Sequence, residues 1–492
     1  MESARRAGKH AVCIIGYGPV GATLANLLGL RGIPTLVLER ETDAYHLPRA
    51  VHFDDEAMRL FQTIGLADTL LPLIHVSPGM RFVDAAGQLL MDWPRPQGRG
   101  AQGWHVSYRF HQPELERVLR DGVARWPSVT VRTCCEATEI TQDADGASIT
   151  VTDRRTGATE TVRAEYVIGC DGARSLVRRT MGSGLEDLGF HERWLVVDVL
   201  LRRPRPDLGD WSVQFCDPAR PATYVRGTGD RRRWEIALHE AEDAAAMEAP
   251  AEVWRLLAPW LRPEDAELER AACYTFHSAV ATGWRNGRLL LAGDACHLTP
   301  PFLGQGMCAG LRDVANLAWK LERVLRGFDP DGLLDTYETE RAPHVRAYIE
   351  LAVRLGGLIN TKAVDAALAV GARAPETEAP RMASLAPPLG LGLAAGWDGL
   401  PRRPAPQPAL QDGSRLDDAV GYRGALLLRT GVPLPANAAA RIDERDAALV
   451  QDPSVDDWLA AQGVQAALVA ADRYVRGAAR DAAELDALLA AL

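Results

Sequence analysis

Along the first forty residues the spacing of apolar positions changes twice. His10 to Ile15 (HAVCII) is a short run of branched apolar residues, the mark of a buried parallel strand. Gly16-Tyr17-Gly18-Pro19-Val20-Gly21 interrupts it, and Ala22 to Leu30 then repeats apolar residues at helical spacing until Gly32. Pro34 to Leu38 is a second buried strand, ending in Glu39. Two later strand-like runs, Val162 to Cys170 and Arg288 to Ala292, each lead into a polar turn: Asp171 to Arg178 (DGARSLVR) and Gly293 to Met307 (GDACHLTPPFLGQGM). From Met307 the apolar positions 307, 311, 314, 317, 318, 321, 324 and 325 lie on one helical face, which Gly327 closes.

This order predicts an α/β chain with a Rossmann-like nucleotide domain assembled from 1–72, 106–184 and 276–330. Branched and alternating runs in 73–105 and 185–275 predict a sheet domain interleaved with it. Helices are expected over 331–373, with Tyr337 to Ala369 as their core, and a proline-rich connector over 374–410. A separate C-terminal portion, 411–492, opens with Leu416 to Gly421 and a strand over Gly424 to Arg429. Internal repeats are not found. Gly390 to Gly396 has the wrong glycine spacing for a second nucleotide fold and follows no strand, so any pyridine nucleotide binds transiently.

The glycine turn has a chemical reading at each position. Gly16 permits the turn, Gly18 lets the backbone approach a pyrophosphate, and Gly21 allows close packing of a helix whose N-terminus favours phosphate. Glu39, 18 positions beyond Gly21, is placed to accept hydrogen bonds from ribose hydroxyls. The turn by itself does not choose between NAD and FAD.

Charge narrows the partners. With 65 acidic against 55 basic residues the net charge is −10, which offers no footprint for nucleic acid or anionic lipid and favours a small molecule. The basic N-terminus before an apolar run resembles a signal peptide, but Gly16, Gly18, Pro19 and Gly21 break the run and it reads as mature protein. No stretch approaches the roughly 20 apolar residues of a membrane helix. Cysteines 13, 134, 135, 170, 216, 273, 296 and 308 form no C-x-x-C, which fits reduced cytoplasmic thiols and no zinc site. His297 has no neighbouring ligand set, so no metal is expected.

Three motifs in order, GYGPVG with Glu39, CDGARSLVR and GDACHLTPPFLGQGM, resemble those of the group A FAD-dependent aromatic hydroxylases of the para-hydroxybenzoate hydroxylase type. The segments LPRAVHFDDEAMRLFQTIGL, FHQPELERVL and FCDPARPATYVRGTGDRRRWEIAL look most like the 3-(3-hydroxyphenyl)propionate hydroxylases and related polyketide hydroxylases. The last hundred residues resemble their thioredoxin-like tail without redox cysteines, consistent with the lack of any thiol beyond Cys308.

The resemblance implies NADH- or NADPH-driven, O2-dependent hydroxylation of a phenolic ring through a flavin C4a-hydroperoxide. The substrate implied is a 3-(3-hydroxyphenyl)propionate-like compound or a polyketide, and a homodimer is an open assembly. An FAD-dependent dehydrogenase, reductase or non-hydroxylating FAD protein on the same fold is the alternative. Cofactor contacts implied are Gly16, Gly18, Gly21, Glu39 and Arg40, with Arg49 and Gln112 at the pyrophosphate and ribityl region. Asp171 and Gly172 belong to a motif that touches FAD and pyridine nucleotide, Asp294 accepts from the ribityl chain, and Gly304, Gln305, Gly306, Met307 and Cys308 face the flavin's anionic edge. Two positions depart from the family pattern: Tyr17 replaces Ala and is expected to lean outward, and Cys308 replaces Asn.

Under the resemblance Pro300 and Pro301 are expected to form a rigid apolar wall at the oxygen side, Pro300 counting among the catalytic-site candidates and Pro301 among the substrate contacts. His52, Tyr224 and His297 are candidate phenol-activating bases, while Gln214, Cys216 and Trp234 are candidate substrate contacts on the sheet. Arg231-Arg232-Arg233, after Gly227 to Asp230, reads as a solvated hairpin tip.

Overall fold

The computed structural model describes residues 9–44, 47–361, 386–394 and 402–490. The expected helix over 362–369 and the connector residues 374–385 and 395–401 lie outside them.

The first sheet grows from the strand Lys9–Ile15, which pairs in parallel with Thr35–Leu38 on one side and Thr159–Gly169 on the other. Val129–Arg132 and Leu289–Leu291 extend it in parallel on the two sides, Arg285–Asn286 pairs antiparallel beyond Leu289–Leu291, and Gly146–Asp153 joins Thr159–Gly169 antiparallel and carries Cys135–Asp143 as its hairpin partner. Because the parallel strands are covered on both faces they read as unbroken apolar runs, and Thr35–Leu38 is buried at all four positions. Helix Pro19–Leu30 packs on one face beside the 20-residue helix Gly306–Leu325, in which Cys308 through Glu322 are all buried. A single apolar stripe is therefore too narrow a description of that helix: Arg312, Asp313, Lys320 and Glu322 are also inside, each with a partner.

The second sheet has eight strands, with His297–Leu298 at one edge, the long antiparallel strands Ala266–Ala281 and Leu185–Leu201 next to it, and Leu89–Pro94 at the other edge. Its two faces have different neighbours. Leu195, Val197, Tyr224, Trp234 and Ile236 form one apolar cluster with Val253, Leu256 and Leu257 of helix Pro250–Leu257. Trp194, Cys216, Phe82, Met91 and Trp93 form another with Phe302 and Leu303, and with Tyr348, Leu351 and Leu355 of helix Asp335–Thr361.

The C-terminal portion holds a four-stranded sheet in the order Ala447–Val450, Gly424–Leu428, Ala466–Val469, Val475–Ala479, with only the first pair parallel. Helices Ala438–Glu444, Pro453–Ala461 and Ala482–Ala490 alternate with its strands. It is joined to the first domain by ionic contacts: Asp417 takes the Arg59 guanidinium through two oxygens at 2.6 and 2.7 Å and also faces Arg473 at 3.1 Å. Tyr474 donates to Glu56 at 2.9 Å, and Asn316 donates to Asp472 at 2.6 Å. Among the described residues no helix is long and apolar enough to cross a membrane.

Candidate functional site

The glycine turn is built for contact on one side and clearance on the other. Gly16 has φ +102°, and a Cβ there would lie 2.4 Å from the Cys170 carbonyl oxygen; a Cβ on Gly21 would lie 2.1 Å from the Gly16 oxygen. Gly18 instead faces open space, with nothing within 4 Å of its notional Cβ. It is also the N-cap of helix Pro19–Leu30, whose first amides have no side-chain cap. Two of these glycines are required by the fold and one leaves the backbone approachable, the arrangement a phosphate at a helix N-terminus needs. Glu39 stands across it, one oxygen accepting from the Tyr17 amide at 2.8 Å and the other from the Glu41 amide at 2.9 Å. Both oxygens keep lone pairs for hydroxyl donors. Arg40 extends into solvent beside Glu41.

Tyr17 does not lean outward. Its side chain is buried, Arg120 lies over the ring at 4.6 Å and donates to the Tyr17 carbonyl at 3.0 Å, and burial pushes the phenol up to about 12. The first-turn amides are thus left clear while the side chain fills space behind the turn.

The Pro48-Arg49-Ala50 loop is fixed from both sides. Gln112, at the start of helix Gln112–Val123, accepts from the Arg49 amide at 2.8 Å and the Ala50 amide at 2.7 Å, while its own amide donates to Glu116 at 2.7 Å. From the second sheet Arg233 donates to the carbonyl of Arg49 at 2.7 Å and to that of Pro48, and Arg270 also donates to Pro48. Arg233 is itself paired with Asp198 at 2.7 Å, both inside the protein. The expectation of a solvated arginine run is therefore overturned: Arg231, Arg232 and Arg233 begin the strand Arg231–Ala237, and the last two are buried. The hairpin tip is Gly227 to Asp230, just before them.

Motif DGARSLVR is a helix cap. Ser175 accepts from the Arg178 amide at 3.0 Å, and Asp171 accepts from the Leu176 amide at 2.6 Å, its second oxygen having no hydrogen-bond partner among the described residues. Gly172 has open space around it. Arg178, not among the expected site residues, ties this turn to the third motif by donating to the Ala295 carbonyl at 2.8 Å. Its signal was its fixed place at the end of the motif.

In GDACHLTPPFLGQGM the Gly293 amide and His297 Nε2 both meet Asp313, at 3.1 and 2.7 Å, and Arg341 meets its other oxygen at 3.0 Å. His297 is therefore an internal anchor, not a base facing a cleft. Asp294, by contrast, is exposed and has no hydrogen bond from another described residue, though protein surrounds it and desolvation raises its carboxyl pKa. An accessible carboxylate without a donor keeps its lone pairs open to a bound hydroxyl. Pro300 is buried and Pro301 half-buried, leading into the short turn Pro301–Leu303. Gly304 follows with φ +62°, its notional Cβ only 3.0 Å from His52 Nδ1. No side chain caps the amides of Gly306, Met307 and Cys308 at the start of helix Gly306–Leu325; Gln305 is held by Arg312 at 3.0 Å. Those free amides face the same turn, with the Cys308 thiol buried and its pKa raised by desolvation.

Of the candidate bases, His52 lies against this turn, but Nε2 pairs with Ser107 Oγ at 2.9 Å and Nδ1 with the Gly304 carbonyl at 3.3 Å. Burial, aided by Arg95, lowers it to about 4. With both nitrogens engaged inside the protein, the imidazole supports the turn. Tyr224 and Trp234 are corrections. Both belong to the cluster covered by helix Pro250–Leu257, their rings 5.0 Å apart, on the sheet face opposite Phe302. Strand parity explains it: Trp234 and Ile236 share one face, so Arg233, Glu235 and Ala237 take the other. Gln214 and Cys216 are on the Phe302 side by the same parity, Cys216 in the cluster with Phe302 and Gln214 donating to Ala222 at 3.0 Å and accepting from Thr223 at 2.6 Å.

The profile of the FAD binding domain family matches residues 9–352. The chain belongs to this family of flavin monooxygenases. The flavoenzyme is 40% identical over 515 residues to a probable NADH-specific resorcinol 4-hydroxylase of Rhodococcus jostii (strain RHA1), covering 98% of this chain and 94% of that one. It is 42% identical over 355 residues to a 3-(3-hydroxy-phenyl)propionate/3-hydroxycinnamic acid hydroxylase of Mycobacterium sp. (strain JLS), covering 71% of this chain but only 60% of that relative's length. Among solved structures, flavin-dependent monooxygenase PieE in complex with FAD and substrate superposes with a TM-score of 0.82 at 24% identity, covering 98% of both chains, a likeness of fold. OxyS anhydrotetracycline hydroxylase from Streptomyces rimosus gives 0.76 at 27% identity, again over 98% of both chains. The FAD-dependent hydroxylase resemblance drawn from three glycine-containing motifs is borne out.

Proposed function

We propose that this flavin monooxygenase uses NADH and O2 to place a hydroxyl group on a small phenol of the resorcinol type. Overall, ArH, O2, NADH and a proton give ArOH, water and NAD+. FAD, when bound, supplies the two-electron relay from NADH and the activation of oxygen.

In this reading Gly16, Gly18 and Gly21 with the first amides of helix Pro19–Leu30 hold the pyrophosphate, and Glu39 holds the adenosine ribose. Arg49 and Gln112 position the middle of the cofactor, Asp294 takes a ribityl hydroxyl, and the Gly304 to Cys308 amides stabilise negative charge on the reduced ring. Asp171 and Gly172 stand at the nucleotide side. Pro300 and Pro301 close the oxygen side without offering an N–H.

One observation carries the substrate class. The sheet face beside the Gly304 turn is apolar and aromatic, formed by Phe82, Met91, Trp93, Trp194 and Phe302 under helix Asp335–Thr361. An apolar, aromatic wall of this kind suits a phenol ring, and a dry surface suits a reaction that water would divert. The strong match along nearly the whole length of a resorcinol hydroxylase supports a small phenol over a polyketide. The order strand, helix, strand, helix, strand, strand, helix in 424–490 supports a thioredoxin-like C-terminal domain, and the absence of cysteine beyond 308 supports a structural role for it. Eight free thiols favour a reducing, cytoplasmic setting.

The test is oxygen uptake and product mass with purified protein, NADH and a panel containing resorcinol, 3-(3-hydroxyphenyl)propionate and larger phenols. Resorcinol should stimulate oxygen consumption and gain one oxygen atom. NADH oxidation with another acceptor and no oxygenated product from any phenol would defeat the reading.

A further inference from the structure

With His52 neutralised by burial and Tyr224 on the far face, the site lacks a base among the residues expected to supply one. Strand register points to a different group. Across the Phe302 side of the second sheet, Thr223 pairs with Glu235, Glu235 with Val196, and Val196 with Ala272. The adjacent row contains Arg233, Asp198 and Arg270, the side chains that grip the Pro48–Arg49 loop. Two residues the other way lies Trp194, whose ring centroid is 5.7 Å from that of Phe302. Glu235 thus occupies the row between the two loops expected to bracket the flavin.

We propose that Glu235 is the catalytic base that accepts the phenol O–H proton, a role resting on the hydroxylase reading given above. Its carboxylate has a single loose ionic contact, Arg233 at 3.8 Å, and its side chain is 12% exposed. Thr223 spends its hydroxyl on Gln214. Charged neighbours are Arg233 on its own strand, Asp198 on Leu185–Leu201 and Arg270 on Ala266–Ala281; Arg270 is also bonded to the Tyr274 hydroxyl. Burial raises the Glu235 carboxyl pKa and Arg233 opposes the rise, bringing the acid nearer the range where it can exchange a proton with a phenol near neutrality.

The balance is simple. The phenol proton moves to the Glu235 carboxylate, and the electron pair left on oxygen is delocalised to the ortho and para carbons. One of these forms the new C–O bond with one atom of O2, whose other atom leaves as water at the expense of NADH. Rearomatisation releases the ring C–H proton to solvent, and Glu235 returns its proton to the original phenolate oxygen.

The deciding variant is Glu235→Gln, which retains an acceptor and similar volume. With resorcinol at pH 7, kcat should fall about 10²–10⁴-fold, while the dissociation constant of resorcinol, read from flavin absorbance without NADH, stays within about threefold. Raising pH should restore the variant's rate about tenfold per unit until the phenol itself ionises, near roughly pH 10 by analogy with tyrosine. Glu235→Asp should fall between the two, and 2-fluororesorcinol, a more acidic phenol, should be hydroxylated by Glu235→Gln better than resorcinol is. A variant that turns over resorcinol like wild type, or that loses rate equally at every pH while retaining FAD, overturns the assignment. If Glu235→Gln fails to fold, the pH profile of Glu235→Asp decides: a profile identical to wild type overturns it. Wild-type protein that hydroxylates no phenol defeats the hydroxylase reading itself, an outcome distinct from either.

Discussion

Removing the Asp313 carboxylate tests whether the Gly293–Asp294 turn is held by buried electrostatics. Asp313 and Arg341 are at most 1% exposed, and Asp313 accepts from the Gly293 amide, His297 and Arg341 at 3.1, 2.7 and 3.0 Å. Asp313→Ala leaves the Arg341 guanidinium buried without its counter-ion, a change that typically costs about 3–5 kcal/mol. For the roughly 340 residues of the matched domain, unfolding entropy near 2.1 cal/mol/K per residue converts this to a Tm fall of about 4–7 °C. Circular dichroism and flavin-fluorescence melting would measure it, with FAD loss expected before global unfolding because the Gly293 amide is released. Arg341→Met in the Asp313→Ala background should recover part of the loss, since it removes the stranded charge. Burial alone would raise the Asp313 pKa, but His297 and Arg341 overcome it and hold it below the ordinary range. Its stabilisation is consequently full above about pH 4 and is lost as pH falls through the depressed folded value. A single variant melting within 1 °C of wild type with FAD retained would refute this account.

Asp294→Ala removes a charge-assisted acceptor worth roughly 1.5–3 kcal/mol, so the FAD dissociation constant should rise about 10–150-fold; equilibrium dialysis giving less than threefold would dismiss the ribityl contact. Tyr224→Phe should keep resorcinol kcat/KM within about twofold, because the hydroxyl faces the back of the sheet, and a hundredfold loss in steady-state kinetics would contradict that placement. Arg59→Ala should lower stability by about 3 kcal/mol and expose the 402–490 region to limited proteolysis. Burial opposes ionisation of Asp417, yet Arg473 and Arg59 bring it down to about 2, so wild-type domain docking should persist above about pH 4 and weaken as pH drops toward 2. Uniform protease resistance in wild type and variant would count against that ionic seam.

The glycine turn was legible because its causes are local. The steric demand of the Gly16 oxygen on Gly21 is set within one strand–turn–helix unit, and the same holds for the Ser175 cap of DGARSLVR; the Cys170 carbonyl that Gly16 must clear comes from a distant strand end. Arg312 and Asp313 were not legible: they read as polar positions on an amphipathic helix, yet their partners are Asp54 and Glu56 in one case and His297 and Arg341 in the other. No local pattern couples positions so far apart in the chain.

By itself the sequence determined the nucleotide fold, the glycine cradle, the acid opposite it and the absence of thiols after Cys308, since these follow from backbone sterics and composition. Tertiary structure alone decided which side of the second sheet faces the Pro48–Arg49 loop and Phe302. Arg231–Ala237 is covered on both faces, so alternation yields two equivalent sets of side chains, and only the packing of helix Pro250–Leu257 behind Trp234 turns Arg233 and Glu235 to the side of the Pro48–Arg49 loop.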